Sequence, residues 1–162
     1  MRESIGATWI FSICLTFIVL FTAYLAISVN YAKSFRIKSD IISMIEENEG
    51  YRDDLAYNVE QYLLAQAYDA SGYCETTLTA RDDLHSDWVR ETCINISGDT
   101  SGRCNACIYR LSVENATEKC NNRAYYRVIT FFKFDLPIVN YWTTFPVSGE
   151  SRLVHDNANL PC

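Results

Sequence analysis

Between Ser4 and Ala32 the chain has no Asp, Glu, Lys or Arg, and between Ala7 and Glu49 it has no Gly or Pro. The first absence removes the side chains that cost most to place in hydrocarbon. The second removes the residues that most readily interrupt a helix. Only six glycines are present and no G-x-G, which excludes a glycine-rich phosphate cradle. There is no G-x-S-x-G nucleophile elbow, and the two histidines, His85 and His155, have no partner at metal-ligand spacing. His85 lies in a polar stretch and reads as a solvated side chain. Basic residues are scarce as well. From Ser39 to Cys162 ten Lys and Arg face nineteen Asp and Glu, a net charge of −9. Such a surface repels nucleic acid, so no nucleic-acid partner is expected. There is no repeat and no low-complexity segment.

What is present begins with the uncharged run itself. As a helix its 29 residues extend ~43 Å at ~1.5 Å per residue, more than the ~30 Å hydrocarbon thickness of a bilayer. The lipid bilayer is therefore the first expected partner, through Ser4–Ala32. A secretory signal is shorter and opens on a basic segment, whereas this chain opens Met1-Arg2-Glu3, so the run reads as a retained anchor. Trp9, Tyr24 and Tyr31 supply rings of the kind found at membrane interfaces. Lys33, Arg36 and Lys38 follow the run and are expected against headgroup phosphates.

The expected organisation is an anchor over residues 1–33 and an extracytoplasmic α+β domain over 34–162, with helix 34–48 continuous with the anchor. Ile37, Ile41, Met44 and Ile45 recur at helical spacing, and Gly50 is suited to a left-handed cap. A second helix is predicted over Asp53–Tyr68, capped by Asp53 or Asp54. The period then changes from 3.6 to 2. Cys107–Val113 and Arg123–Phe134 read as strands, and Thr92–Ser97 as a weaker one. Trp142–Val147 and Glu150–His155 are predicted as further short strands, broken by Pro146 and Ser148-Gly149. The fold class is thus α+β: a long transmembrane-plus-amphipathic helix, a short helix and a small antiparallel sheet.

Seven cysteines are present. Cys14 lies in the apolar run as a small apolar residue. Cys74, Cys93, Cys104, Cys107, Cys120 and Cys162 form an even set compatible with three disulfides, in any of about 15 pairings. Cys104-Asn105-Ala106-Cys107 also has redox or zinc spacing, but it leads into a strand and lacks a second pair. Structural disulfides are the simpler reading, with no metal or other cofactor. They imply an oxidising location and place the domain outside the cytoplasm. The basic residues after the run argue for the opposite orientation by the positive-inside rule; the cysteines are given more weight.

The unbroken apolar-to-amphipathic helix, the small sheet with cysteine-stapled loops, and the closing stretches Tyr125–Ile138 and Phe145–Glu150 resemble type IV pilin-like proteins. More narrowly, the chain resembles the TadE-like pseudopilins of Tad/Flp pili. The resemblance implies a non-enzymatic subunit or accessory of a surface pilus or secretion apparatus. It also implies protein partners, like subunits or assembly machinery, through the N-terminal helix. Glu3, Gly6 and Ala7 are the helix-assembly candidates. Pilins are trimmed after a Gly, with a Glu near the new N-terminus; here Gly6 follows Glu3. Two other readings compete: a tethered binding or sensory domain that never polymerises, and a cytosol-facing zinc-binding cysteine domain.

Overall fold

A computed structural model of the chain describes residues 2–79, 88–96, 98, 102–113, 123–136 and 139–155. Its architecture is α+β. Helix α1 spans Arg2–Glu47, 46 residues without a break. It ends one residue before the predicted Asn48. The left-handed position is taken by Glu49 (φ +52°), and Gly50 follows at φ +121°. The Gly50 N–H donates to the Ile45 carbonyl at 3.1 Å and the Glu49 N–H to Glu46 at 3.4 Å. This pair of bonds is a Schellman cap, in which the residue before Gly50 carries the left-handed turn.

Helix α2 spans Asp53–Ala65, three residues shorter than predicted. Its N-cap is Arg52, which makes no side-chain capping bond. Neither Asp53 nor Asp54 holds the cap position; both lie in the first turn, where carboxylate residues suit the helix dipole. The C-terminus repeats the geometry of α1. Tyr68 N–H donates to Leu63 O at 3.1 Å, Ala67 N–H to Leu64 O at 3.0 Å, and Ala67 sits at φ +45°. Tyr68 leaves the helix because this turn swings its ring into the core. Ala67 pays the left-handed penalty that glycine avoids. Ala67→Gly is therefore expected to stabilise the domain by ~0.5–1 kcal/mol, read as a higher melting temperature by circular dichroism.

The strands are β1 Gly72–Tyr73, β2 Thr77–Leu78, β3 Trp88–Ile94, β4 Arg103–Cys104, β5 Ala106–Val113, β6 Arg123–Leu136, β7 Val139–Glu150 and β8 Val154–His155. All described pairings are antiparallel. The main sheet runs β2-β3-β5-β6-β7, with β8 pairing the start of β6. Strands β1 and β4 pair separately. The weak strand predicted at Thr92–Ser97 is instead centred earlier, and Ser97 lies outside the described residues. Pro146 and Ser148-Gly149 do not break β7, which pairs with β6 from Arg127↔Glu150 to Leu136↔Val139. An edge strand tolerates the missing N–H of proline because one of its sides needs no ladder bonds. Gly149 serves close packing: a Cβ there would sit 2.7 Å from Lys38 Cδ.

Strand β6 carries the second half of α1 along its length, in the opposite direction. Asn30 Nδ2 donates to Lys133 O at 3.4 Å and Tyr51 N–H to the Tyr126 hydroxyl at 3.1 Å. Ile37, Ile41 and Ile45 from α1, with Leu55, Val59 and Leu63 from α2, are buried against Ala106, Ile108, Tyr126 and Val128. Burying each such aliphatic side chain is worth ~1.5–3 kcal/mol, which makes this layer the main stabilising element.

The far end of α1 is tied down by charge. Arg152 donates to Glu46 from its backbone N–H (2.8 Å), Nη2 (2.8 Å) and Nε (3.2 Å). The Arg152 side-chain and backbone hydrogen bonds hold the Glu46 carboxyl below its ordinary pKa. A depressed carboxylate contributes stability above its unfolded-state pKa, and that contribution is lost as pH falls through the folded-state value. Glu46→Gln is expected to flatten the acid limb of a stability-versus-pH curve and leave its neutral slope unchanged. Chemical denaturation in a pH series reads this directly. Tyr62 on α2 donates to Asp40 on α1, and burial, then that carboxylate, push the Tyr62 phenol up to about 12.

Candidate membrane and assembly face

Residues 8–22 of α1 are exposed throughout. Trp9 is 71% exposed, Phe17 67%, Ile18 56% and Val19 41%, on all sides of the helix. This helix, near the N-terminus, is long and apolar enough to cross a membrane, and its most apolar stretch has none of its residues buried. Two of its hydroxyls bond within the helix. Thr16 Oγ1 donates to the Ser12 carbonyl at 2.9 Å and Thr22 Oγ1 to Val19 O at 3.0 Å. A hydroxyl closed onto its own helix backbone needs no water, so it is compatible with lipid. Glu3, Gly6 and Ala7 all fall within α1, at its first turns. Gly6 is exposed, and a Cβ added there would have nothing within 4 Å. The side chains of Glu3 and Ala7 lie outside the described residues.

From Ala23 onward one side of the helix is covered. Ala23, Ala26, Ile27 and Asn30 are half-buried and Ser34, Ile37, Ile41 and Ile45 buried, a seam at three- and four-residue spacing. Ser34 holds the seam with polar contacts. Its Oγ donates to Phe131 O at 3.1 Å, and Thr130 Oγ1 donates to Ser34 O at 3.3 Å. The Tyr68 hydroxyl donates to Phe131 O and accepts from Phe131 N–H at 3.0 Å. Burial raises the Tyr68 phenol above its ordinary pKa. Nothing in the sequence distinguishes Ser34 from the other small polar residues of α1, so this junction emerges only from the fold.

The basic residues after the apolar run are partly occupied by the protein. Lys38 is buried: it crosses Gly149, donates to Ser148 O at 3.5 Å and places Nζ 3.9 Å from the Phe35 ring centroid. It therefore does not face headgroups as predicted, because the edge of β7 covers it. Lys33 donates to Ala67 O at 3.3 Å, and Arg36 lies 3.9 Å from Asp40.

Among the described residues two cysteine pairs have disulfide geometry, Cys74–Cys107 with Cα atoms 5.9 Å apart and Cys93–Cys104 with Cα atoms 5.5 Å apart. Cys93 and Cys107 are direct cross-strand neighbours, yet each bonds elsewhere. Cys107 pins the segment around Cys74 over the sheet face that the helices leave free, and Arg90 Nη1 reinforces it by donating to Cys74 O at 2.8 Å. Cys93 pins β4. The two cysteines of the C-x-x-C do not pair with each other. Between them Asn105 is buried, with Nδ2 donating to Ala70 O at 3.0 Å and Oδ1 accepting from Ile96 N–H at 3.0 Å. The sulfur atoms of Cys74, Cys93 and Cys104 lie within 4.8 Å of one another. Paired as disulfides they offer no thiolate to a metal. Cys14 is free and exposed on the apolar run. Cys120, Cys162 and His85 lie outside the described residues. Comparison with protein-family models, with curated proteins and with solved structures returns no match.

Proposed function

We propose that the chain is a non-enzymatic, single-pass membrane protein whose α+β domain lies outside the cytoplasm, and that it acts as a pilin-like subunit or accessory of a surface pilus or secretion apparatus. One observation carries this reading: a single 46-residue helix is bare and apolar in its first half and forms the spine of the sheet in its second. A helix of that design can hold the protein in a bilayer and later exchange lipid for neighbouring helices. Gly6, Ser12 and Ser28 are exposed small residues that permit close approach of such neighbours. The two cysteine pairs support the outward orientation over a zinc-binding, cytosol-facing one.

Cross-linking in the native membrane tests the assembly role. Ladders of like subunits, or a defined adduct with assembly machinery, are the expected result. Monomers alone would leave the tethered binding domain as the better reading.

A further inference from the structure

We infer that the sheet is a second membrane contact: the paired strand ends at Leu136 and Val139 and the Tyr31–Phe132–Phe145 cluster sit in the headgroup layer that α1 leaves. The inference rests on the anchor reading above and adds to it a fixed orientation of the domain. Two contacts set the level. Asn30 bonds Lys133 O at 3.4 Å, and the rings of Tyr31 and Phe132 meet edge-on at 5.7 Å. Beyond Lys133, β6 continues for three residues to Leu136, where it pairs with Val139. At ~3.3 Å per strand residue that is ~10 Å, or about seven residues of helix rise. The hairpin therefore runs back along α1 to the level of about Ala23. Ala23, Ala26 and Ile27 are half-buried on the same seam as the buried isoleucines.

The uncharged run has residues to spare for this. Ser4–Thr22 alone rises ~28 Å, close to the ~30 Å of hydrocarbon. The remainder, Ala23–Ala32, then falls at the membrane boundary, and the hairpin lies beside it in the same layer. What the domain exposes there suits that layer. Phe132 and Phe145 stack at 5.3 Å, Tyr31 also meets Phe35 at 6.5 Å, and Tyr31 and Phe145 remain 48% and 44% exposed. Grouped exposed rings are unfavourable against water and favoured at a lipid interface. Lys133, 3.8 Å from Asp69, places an ion pair beside the cluster at headgroup rather than hydrocarbon polarity. Continuity with the apolar helix identifies the occupant as the bilayer itself.

The test uses the full chain in phosphatidylcholine nanodiscs with single nitroxide labels. One label is on native Cys14; the others are on Phe145→Cys and Leu153→Cys, each in a Cys14→Ser background. Leu153 is exposed at the opposite end of the domain, beside Arg152. Collision rates with oxygen and with a nickel chelate are compared. The expected oxygen-to-nickel ratio at position 145 is several-fold above that at 153 and below that at Cys14. Equal ratios at 145 and 153, with Cys14 deep in lipid, overturn the inference and leave the anchor intact. Low collision with both reagents at 145 overturns it too, by showing a protein contact there. An aqueous Cys14 overturns the anchor reading and this inference together. Tyr31→Cys reports the same layer if Phe145→Cys fails to fold.

Discussion

Leu20→Arg releases the protein from membranes. Leu20 lies in the middle of the uncharged run and is 64% exposed, so the substitution meets no steric barrier and disturbs no core contact. In water an arginine at such a site would be harmless or helpful. In a bilayer centre it costs ~2.5–3.5 kcal/mol on an insertion scale, where Leu contributes about −0.3 to −0.6. The run contains several hydroxyl residues and Asn30, so its margin is limited, and one central arginine removes a large part of it. The expected result on fractionation is transfer of most of the protein from the membrane pellet to the soluble or degraded fraction, complete in Phe17→Arg/Leu20→Arg. Unchanged pelleting of the double variant would show that the exposed half of α1 is covered by protein rather than lipid.

Cys107→Ser is the expected severe lesion of the soluble domain. Cys107 is fully buried and closes a 33-residue separation to Cys74. Loop closure of that size is worth ~4 kcal/mol, and a Tm loss of ~15 °C follows for a domain of this length. Cys93→Ser opens an 11-residue separation, worth ~3 kcal/mol, so it should be somewhat milder. Cys14→Ser should change nothing in the domain. A reductant should reproduce the Cys107→Ser shift, whereas a chelator should not. A melting curve insensitive to reductant but lowered by a chelator would replace the disulfides with a metal site.

Much of this fold is legible in the sequence because its strongest signals are periodic. The isoleucines at 37, 41 and 45 set the seam of α1, and the alternation through β5 and β6 sets the sheet. The errors occur where tertiary context outweighs local propensity. Pro146 and Gly149 look like strand breakers, yet an edge strand excuses the first, and the crossing of Lys38 explains the second. Lys38 reads as a headgroup ligand because its charge is visible and its cover, β7, lies more than a hundred residues away. Glu49 and Ala67 take left-handed turns that their side chains disfavour, since Schellman bonds and the burial of Tyr68 outweigh the local cost. The cysteine pairing is open in the sequence for a similar reason. Cross-strand register puts Cys93 opposite Cys107, but the segment crossing the outer face supplies Cys74 to one, and the β4 turn supplies Cys104 to the other.

The proposed topology is a helix in the bilayer with an oxidised domain beyond it. Alkylation of intact cells with a membrane-impermeant maleimide, before and after an impermeant phosphine reductant, tests both parts together. The expected result is no labelling of Cys74, Cys93, Cys104 and Cys107 before reduction and labelling of all four after it, read by peptide mass. Labelling of these cysteines only after lysis, and without any reductant, would place free thiols in the cytosol and contradict it.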